Sequence, residues 1–175
     1  MEIAALTRLH KQGVDNLSIL LPMVRTVEEV KRAMHYIGRS VAFPIWVKCE
    51  TPAMSILMED LCNTGIAGVC FDVPSLAQFI LGFDKDNSQT ASEVDQAHPA
   101  VLQALRYALA TCREHRVATI LAAEMDTLNP EVVQLGAQEG VTALSVHAGD
   151  AEITRRLLAA VEKHLLLEHA LKENG

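Results

Sequence analysis

The sequence predicts an α/β fold of about five parallel strands joined by crossover helices. Short apolar runs alternate with segments of helical period along the whole chain. No hairpin signal and no internal repeat interrupts that alternation. The chain has 175 residues and 50% hydrophobic content, enough to fill the core of one domain spanning 1–175.

Each element follows from local pattern. Glu2 to Lys11 carries Ile3, Leu6 and Leu9 at helical spacing and stops at Gly13. Leu17 to Leu21 is a short apolar run closed by Pro22, a parallel strand. Thr26 with Glu28 and Glu29 opens a helix to about Gly38, with Val27, Val30, Ala33, Met34 and Ile37 as its inner stripe. Pro44 to Cys49 is the second strand, and Trp46 in it should be at least half buried against a helix. Thr51-Pro52 starts a helix running to about Asn63, its Pro well placed in the first turn. Gly68–Phe71 is the third strand, followed by a turn at Val73-Pro74-Ser75, a short helix and an acidic loop over 82–87. Residues 87–98 are polar and aperiodic, a loop. A long helix over 100–115, a strand over 117–123, a helix over 130–139, a strand over 141–147 and a final helix over 151–171 complete the pattern.

Composition narrows the function classes. A formal charge of −7 and a pI near 5.4 argue against nucleic-acid and anionic-membrane partners. No apolar run approaches the roughly 18 residues of a membrane span, and the first residues lack a secretory pattern, so a cytoplasmic location is expected. Cys49, Cys62, Cys70 and Cys112 are scattered in apolar surroundings without a CxxC pair, which reads as buried, reduced thiols.

The stretch from Ala67 to Asn87 places polar groups just past the C-terminal end of a strand, where α/β folds build ligand sites. Leu76, Gln78, Leu81-Gly82, Asp84 and Asp86 agree there with a run of phosphoenolpyruvate synthase and pyruvate phosphate dikinase. Further matching runs are 21–29, Glu50-Thr51-Pro52, His98-Pro99-Ala100-Val101, and Glu139-Gly140 with Leu144-Ser145. From about 16 to 160 the chain thus resembles the final strands of the C-terminal, phosphoenolpyruvate-binding barrel of that PEP-utilising family. The resemblance implies a partial (β/α) TIM-type barrel, because a complete one needs roughly 250 residues. The family's early barrel strands, with their phosphate-gripping arginines, and its phosphohistidine and ATP-grasp domains have no counterpart in these residues.

Carried over by position, the resemblance implies a Mg²⁺ site with Glu50 as one acidic ligand; oxygen donors suit that ion. A first-turn carboxylate favoured by the helix dipole is the structural alternative. The family's Asn-Asp pair, which includes the second ligand, falls on Pro74 and Ser75. Lys85 stands where the family has a substrate-contacting arginine, and Arg25 lies in its V-R-T-V-E-E run. Both are candidate substrate-binding residues. Their alternatives are a solvated loop lysine between the turn carboxylates Asp84 and Asp86, and a salt bridge to the Glu28-Glu29 turn. The family's general acid, a cysteine, aligns with Leu121, which cannot deliver a proton; Glu124 and Asp126 lie nearby. Cys49 and Cys70 read as packing residues, and His147 as a hydrogen-bonded histidine at the barrel mouth.

These readings converge on a stand-alone relative of the phosphoenolpyruvate synthase C-terminal domain, catalytically inactive and kept as a binding or assembly module. A phosphoenolpyruvate- or pyruvate-like ligand and a homodimer, two half-barrels covering each other's strand edges, are the expected partners. Two enzyme readings rival it: a Mg²⁺-dependent phosphotransferase completed by a partner chain, and a metal-dependent C–C lyase on a related barrel.

Overall fold

The structure, a computed structural model, describes residues 2–38, 43–123 and 128–173. Its elements are α1 (Glu2–Lys11), β1 (Ile19–Leu21), α2 (Val27–Gly38), β2 (Ile45–Cys49), α3 (Pro52–Ile56), α4 (Met58–Cys62), β3 (Gly68–Asp72), α5 (Val73–Leu81), α6 (Pro99–Glu114), β4 (Ala118–Ala123), α7 (Pro130–Glu139), β5 (Ala143–Val146) and α8 (Ala151–Glu173). The five strands form one parallel sheet in the order β1-β2-β3-β4-β5. Doubly wound sheets reverse strand order at a switch point. No reversal occurs here, so the sheet winds in one direction, as consecutive strands of a (β/α) barrel do.

Strand parity divides the sheet into two faces. Val47, Cys49, Val69, Phe71, Leu121 and Ala123 share one buried cluster with apolar residues of α2 through α7. That cluster is the core. The alternate residues Trp46, Lys48, Cys70, Ile120 and Ala122 lie outside it, on the sheet's second face. At the edges this face opens to solvent, with Leu20 44% exposed. A smaller cluster of Ile37, Phe43 and Ile45 takes up Ile3 and Leu6 of α1, which seats that helix beside β1 and β2.

Two local expectations change. The helix after Thr51 is broken at Leu57 into α3 and α4. The expected turn at Val73-Pro74-Ser75 is the first turn of α5, which follows β3 with no intervening loop. Asp72, the last residue of β3, caps that helix by accepting from the Ser75 N–H at 3.2 Å. Pro74 then sits in the first turn, where its missing N–H costs nothing.

Trp46 is half-buried, as expected. Its ring lies over Gly68 of the neighbouring strand, so closely that a Cβ there would fall 2.3 Å from it. Gly68→Ala should therefore push the indole outward and lower stability by about 1–3 kcal/mol. The wild-type protein should show blue-shifted tryptophan emission poorly quenched by iodide, and the variant a red shift with stronger quenching. Unchanged emission and stability in the variant would place Trp46 elsewhere.

Candidate functional site

Three charged side chains meet on the second face, at the C-terminal ends of β2 and β3. Lys48 lies directly opposite Cys70 in the parallel register, so residues 48, 50, 70 and 72 share one side of the sheet. The Lys48 ammonium Nζ stands 2.9 Å from Asp72 Oδ2 and 3.3 Å from Glu50 Oε1. All three side chains are about nine-tenths buried.

The remaining carboxylate oxygens are also engaged. Glu50 Oε2 accepts the backbone N–H of Met23 at 2.6 Å, and Asp72 Oδ1 accepts that of Ser75. Met23 donates from a left-handed backbone, φ 51°, which a residue with a Cβ adopts at a cost of roughly 1–3 kcal/mol. Beside it, the Thr51 hydroxyl donates to the Val24 carbonyl at 3.2 Å. The Glu50-Thr51 pair thus fastens the loop after β1 to the end of β2.

The other candidates are placed apart from this cluster. The Arg25 guanidinium pairs with Glu29 at 2.9 Å and is 70% exposed. Its backbone N–H also donates to Glu29, and this bond is the main reason the Glu29 carboxyl lies below its usual range. Lys85 donates its backbone N–H to Gln78 and pairs through Nζ with Asp86 at 3.4 Å. Asp84 accepts the N–H of Asp86, as a turn carboxylate does. Among the described residues, no hydrogen bond or ion pair joins Arg25 or Lys85 to Glu50.

Leu121, the expected acid position, is fully buried in the helix-facing cluster, and its Cδ1 would meet a Cβ at Gly136 of α7 at 2.7 Å. Its side chain points away from Lys48. Glu124 and Asp126 lie outside the described residues. His147 accepts the N–H of Gly149 at 3.2 Å and caps the short turn before α8. All four cysteines are free and buried, and burial above all pushes the Cys49 thiol far up.

The residues present do not fit a Mg²⁺ site. One glutamate oxygen already carries an ammonium and the other an amide. Among the described residues, no group of three or more His, Cys, Asp or Glu side chains is arranged to hold an ion.

Lys48 and Asp72 escaped the sequence reading. Their signal was a lysine and an aspartate each embedded in an apolar strand, Ile45–Cys49 and Gly68–Asp72. Charges at such positions are almost never buried unless paired.

Comparison with known proteins bears on this site. The profile of the family described as "PEP-utilising enzyme, PEP-binding domain" matches residues 1–163. A probable phosphoenolpyruvate synthase of Archaeoglobus fulgidus is 30% identical over 98% of this chain, which corresponds to 23% of that protein. The phosphoenolpyruvate synthase of Pyrococcus furiosus is 28% identical over 94% of the chain and 21% of its own length. The chain therefore spans about a fifth of these relatives. Among solved structures, RipC from Yersinia pestis superposes with a TM-score of 0.62 at 14% identity, over 89% of this chain and 68% of that one. An HpcH/HpaI aldolase from Desulfitobacterium hafniense gives 0.56 at 12%, over 93% and 68%. At that identity the likeness is one of fold, and it agrees with the barrel-like winding of the sheet.

The charge cluster predicts an asymmetry between two substitutions. Lys48→Met leaves two carboxylates buried without their cation and should cost about 3–5 kcal/mol. Asp72→Asn keeps the helix cap and leaves a neutral Lys48–Glu50 pair, so its cost should be clearly smaller. Denaturant unfolding of both variants tests this, and equal costs would contradict the pairing.

Proposed function

Because the chain belongs to the PEP-binding domain family of PEP-utilising enzymes, we propose that it is a non-catalytic relative of the phosphoenolpyruvate synthase C-terminal domain, retained as an assembly module. The observation that carries this reading is the fully engaged carboxylate of Glu50, the family-type metal ligand. Ser75, where the second ligand would stand, contributes its backbone N–H to a helix cap. Leu121, where a general acid would stand, is packed against α7. A missing general acid alone typically slows a reaction by 10²–10⁴-fold. The three charges also sum to −1, which repels a pyruvate- or phosphate-type anion rather than drawing it in.

The assembly role draws on the open edges. Ala143 and Ser145 of β5 are exposed. A cleft of about 870 Å³ lies between β5, α7 and α8, lined by Val141, Leu144, Leu158 and Leu165. Leu166, Leu167 and Leu171 continue the apolar surface along α8. A second copy of the chain meeting this side would cover both the strand edge and the leucines in a two-fold dimer. The same edge supports the rival reading, a phosphotransferase completed by strands from a different chain. That reading requires Lys48 to leave Glu50 when the strands dock.

Two measurements test the proposal. With pyruvate in D₂O and Mg²⁺, NMR should show no deuterium entering the methyl group above the metal-only background. Exchange that disappears in Glu50→Gln would overturn the inactive reading. Light scattering at micromolar concentration should give about twice 19.1 kDa, and a mass at 19.1 kDa would remove the dimer.

A further inference from the structure

We infer that the Lys48 ammonium is a resident cation built into the chain. It occupies the Glu50–Asp72 pair in place of a divalent ion, so the native protein takes up no Mg²⁺ or Mn²⁺ there, whereas a chain lacking Lys48 acquires such a site. The inference concerns the ion and not turnover, so it holds whether the module assembles, binds a small molecule or does neither.

The geometry points this way from both sides. Glu50 and Asp72 come from adjacent parallel strands, and each directs one oxygen at the same point, 3.3 and 2.9 Å from Nζ. Two hard oxygen donors converging on one cation, with waters completing the shell, is the usual protein share of a Mg²⁺ site. The outer oxygens are fixed by the N–H groups of Met23 and Ser75, so neither carboxylate depends on Lys48 for its orientation. Lys48 itself stands two residues before Glu50 on the same side of β2, and its four-carbon stem carries a compact point charge to the strand end. An ammonium supplies +1 where a divalent ion supplies +2. It holds the carboxylates together, but it offers no open coordination position for a substrate oxygen.

Without Lys48, two buried like charges face one another, and a divalent ion is the simplest species that relieves them. An ion that binds only the folded chain also raises its stability.

The test compares wild type, Lys48→Met and Lys48→Met/Asp72→Asn in two readouts: Mn²⁺ binding by water-proton relaxation, and Tm with and without Mg²⁺. Wild type should leave the Mn²⁺ signal at the free-ion value and its Tm unmoved. Lys48→Met should gain a saturable relaxation enhancement and a Mg²⁺-dependent rise in Tm, and the double variant should lose both. Should Lys48→Met be unfolded without metal, refolding on addition of Mg²⁺ supports the inference. Failure to fold at saturating metal overturns it, because the bridging ion would have restored the missing charge. A folded Lys48→Met that binds no Mn²⁺ overturns it too, as does a wild-type enhancement abolished by Glu50→Gln. Deuterium exchange by the wild-type protein without bound metal would sink the inactive reading and leave this one standing.

Discussion

An ammonium buried between two carboxylates constrains everything at the C-terminal ends of β2 and β3. Ions removed from water need matched partners, since an unmatched buried charge costs several kcal/mol. Here the matching is regular: each carboxylate takes one contact from Lys48 and one from a backbone N–H. The chain path follows from those amides. Ser75 can reach Asp72 only if α5 begins at once after β3, so no loop separates them. Met23 reaches Glu50 from a left-handed backbone, a strain that the short bond to a buried carboxylate offsets.

The same interaction explains which motifs persist. Glu50-Thr51-Pro52 reads in the sequence as a family-like run with an expected metal ligand, and in the structure each residue has a mechanical role. Glu50 anchors the loop after β1, Thr51 donates to Val24, and Pro52 starts α3. Arg25 and Glu29 form their own i,i+4 pair at the start of α2. Such pairs contribute little when exposed, but they order the first turn. These family-type residues therefore have folding roles that stand independently of any chemistry.

The fold was largely legible in the sequence because periodicity reports burial directly. Every strand and helix follows from an apolar period, and the strand–helix alternation without hairpin turns implies the parallel sheet. The end of β3 was not legible as a helix cap, since Val73-Pro74-Ser75 is equally good turn chemistry and only the Asp72 carboxylate distinguishes them. The site was legible only in part. Glu50 stood out through its motif, but Lys48 and Asp72 sit 24 residues apart, as their numbers show, on strands whose register the sequence does not declare. Their meeting depends on Lys48 pairing with Cys70, and a slip of one residue would turn one of them to the other face.

Strand parity also decides where on β4 a proton donor could reach the ion cluster. A thiol placed at Leu121, the position the resemblance implies for the family's cysteine, would point into the helix layer against Gly136. Burial there would raise the thiol as it raises Cys49, keeping it protonated and out of reach of the second face. The β4 position that shares a face with the ion cluster is Ala122, paired directly with Asp72 and 2% exposed. A donor built there would face a carboxylate already committed to Lys48 and Ser75, and would compete with that pairing instead of serving a substrate. Building a proton donor beside the ion cluster therefore involves at least two coupled changes, removal of the Lys48 charge and a donor on the β4 parity of Ala122. The ion cluster makes either change destabilising when it occurs alone.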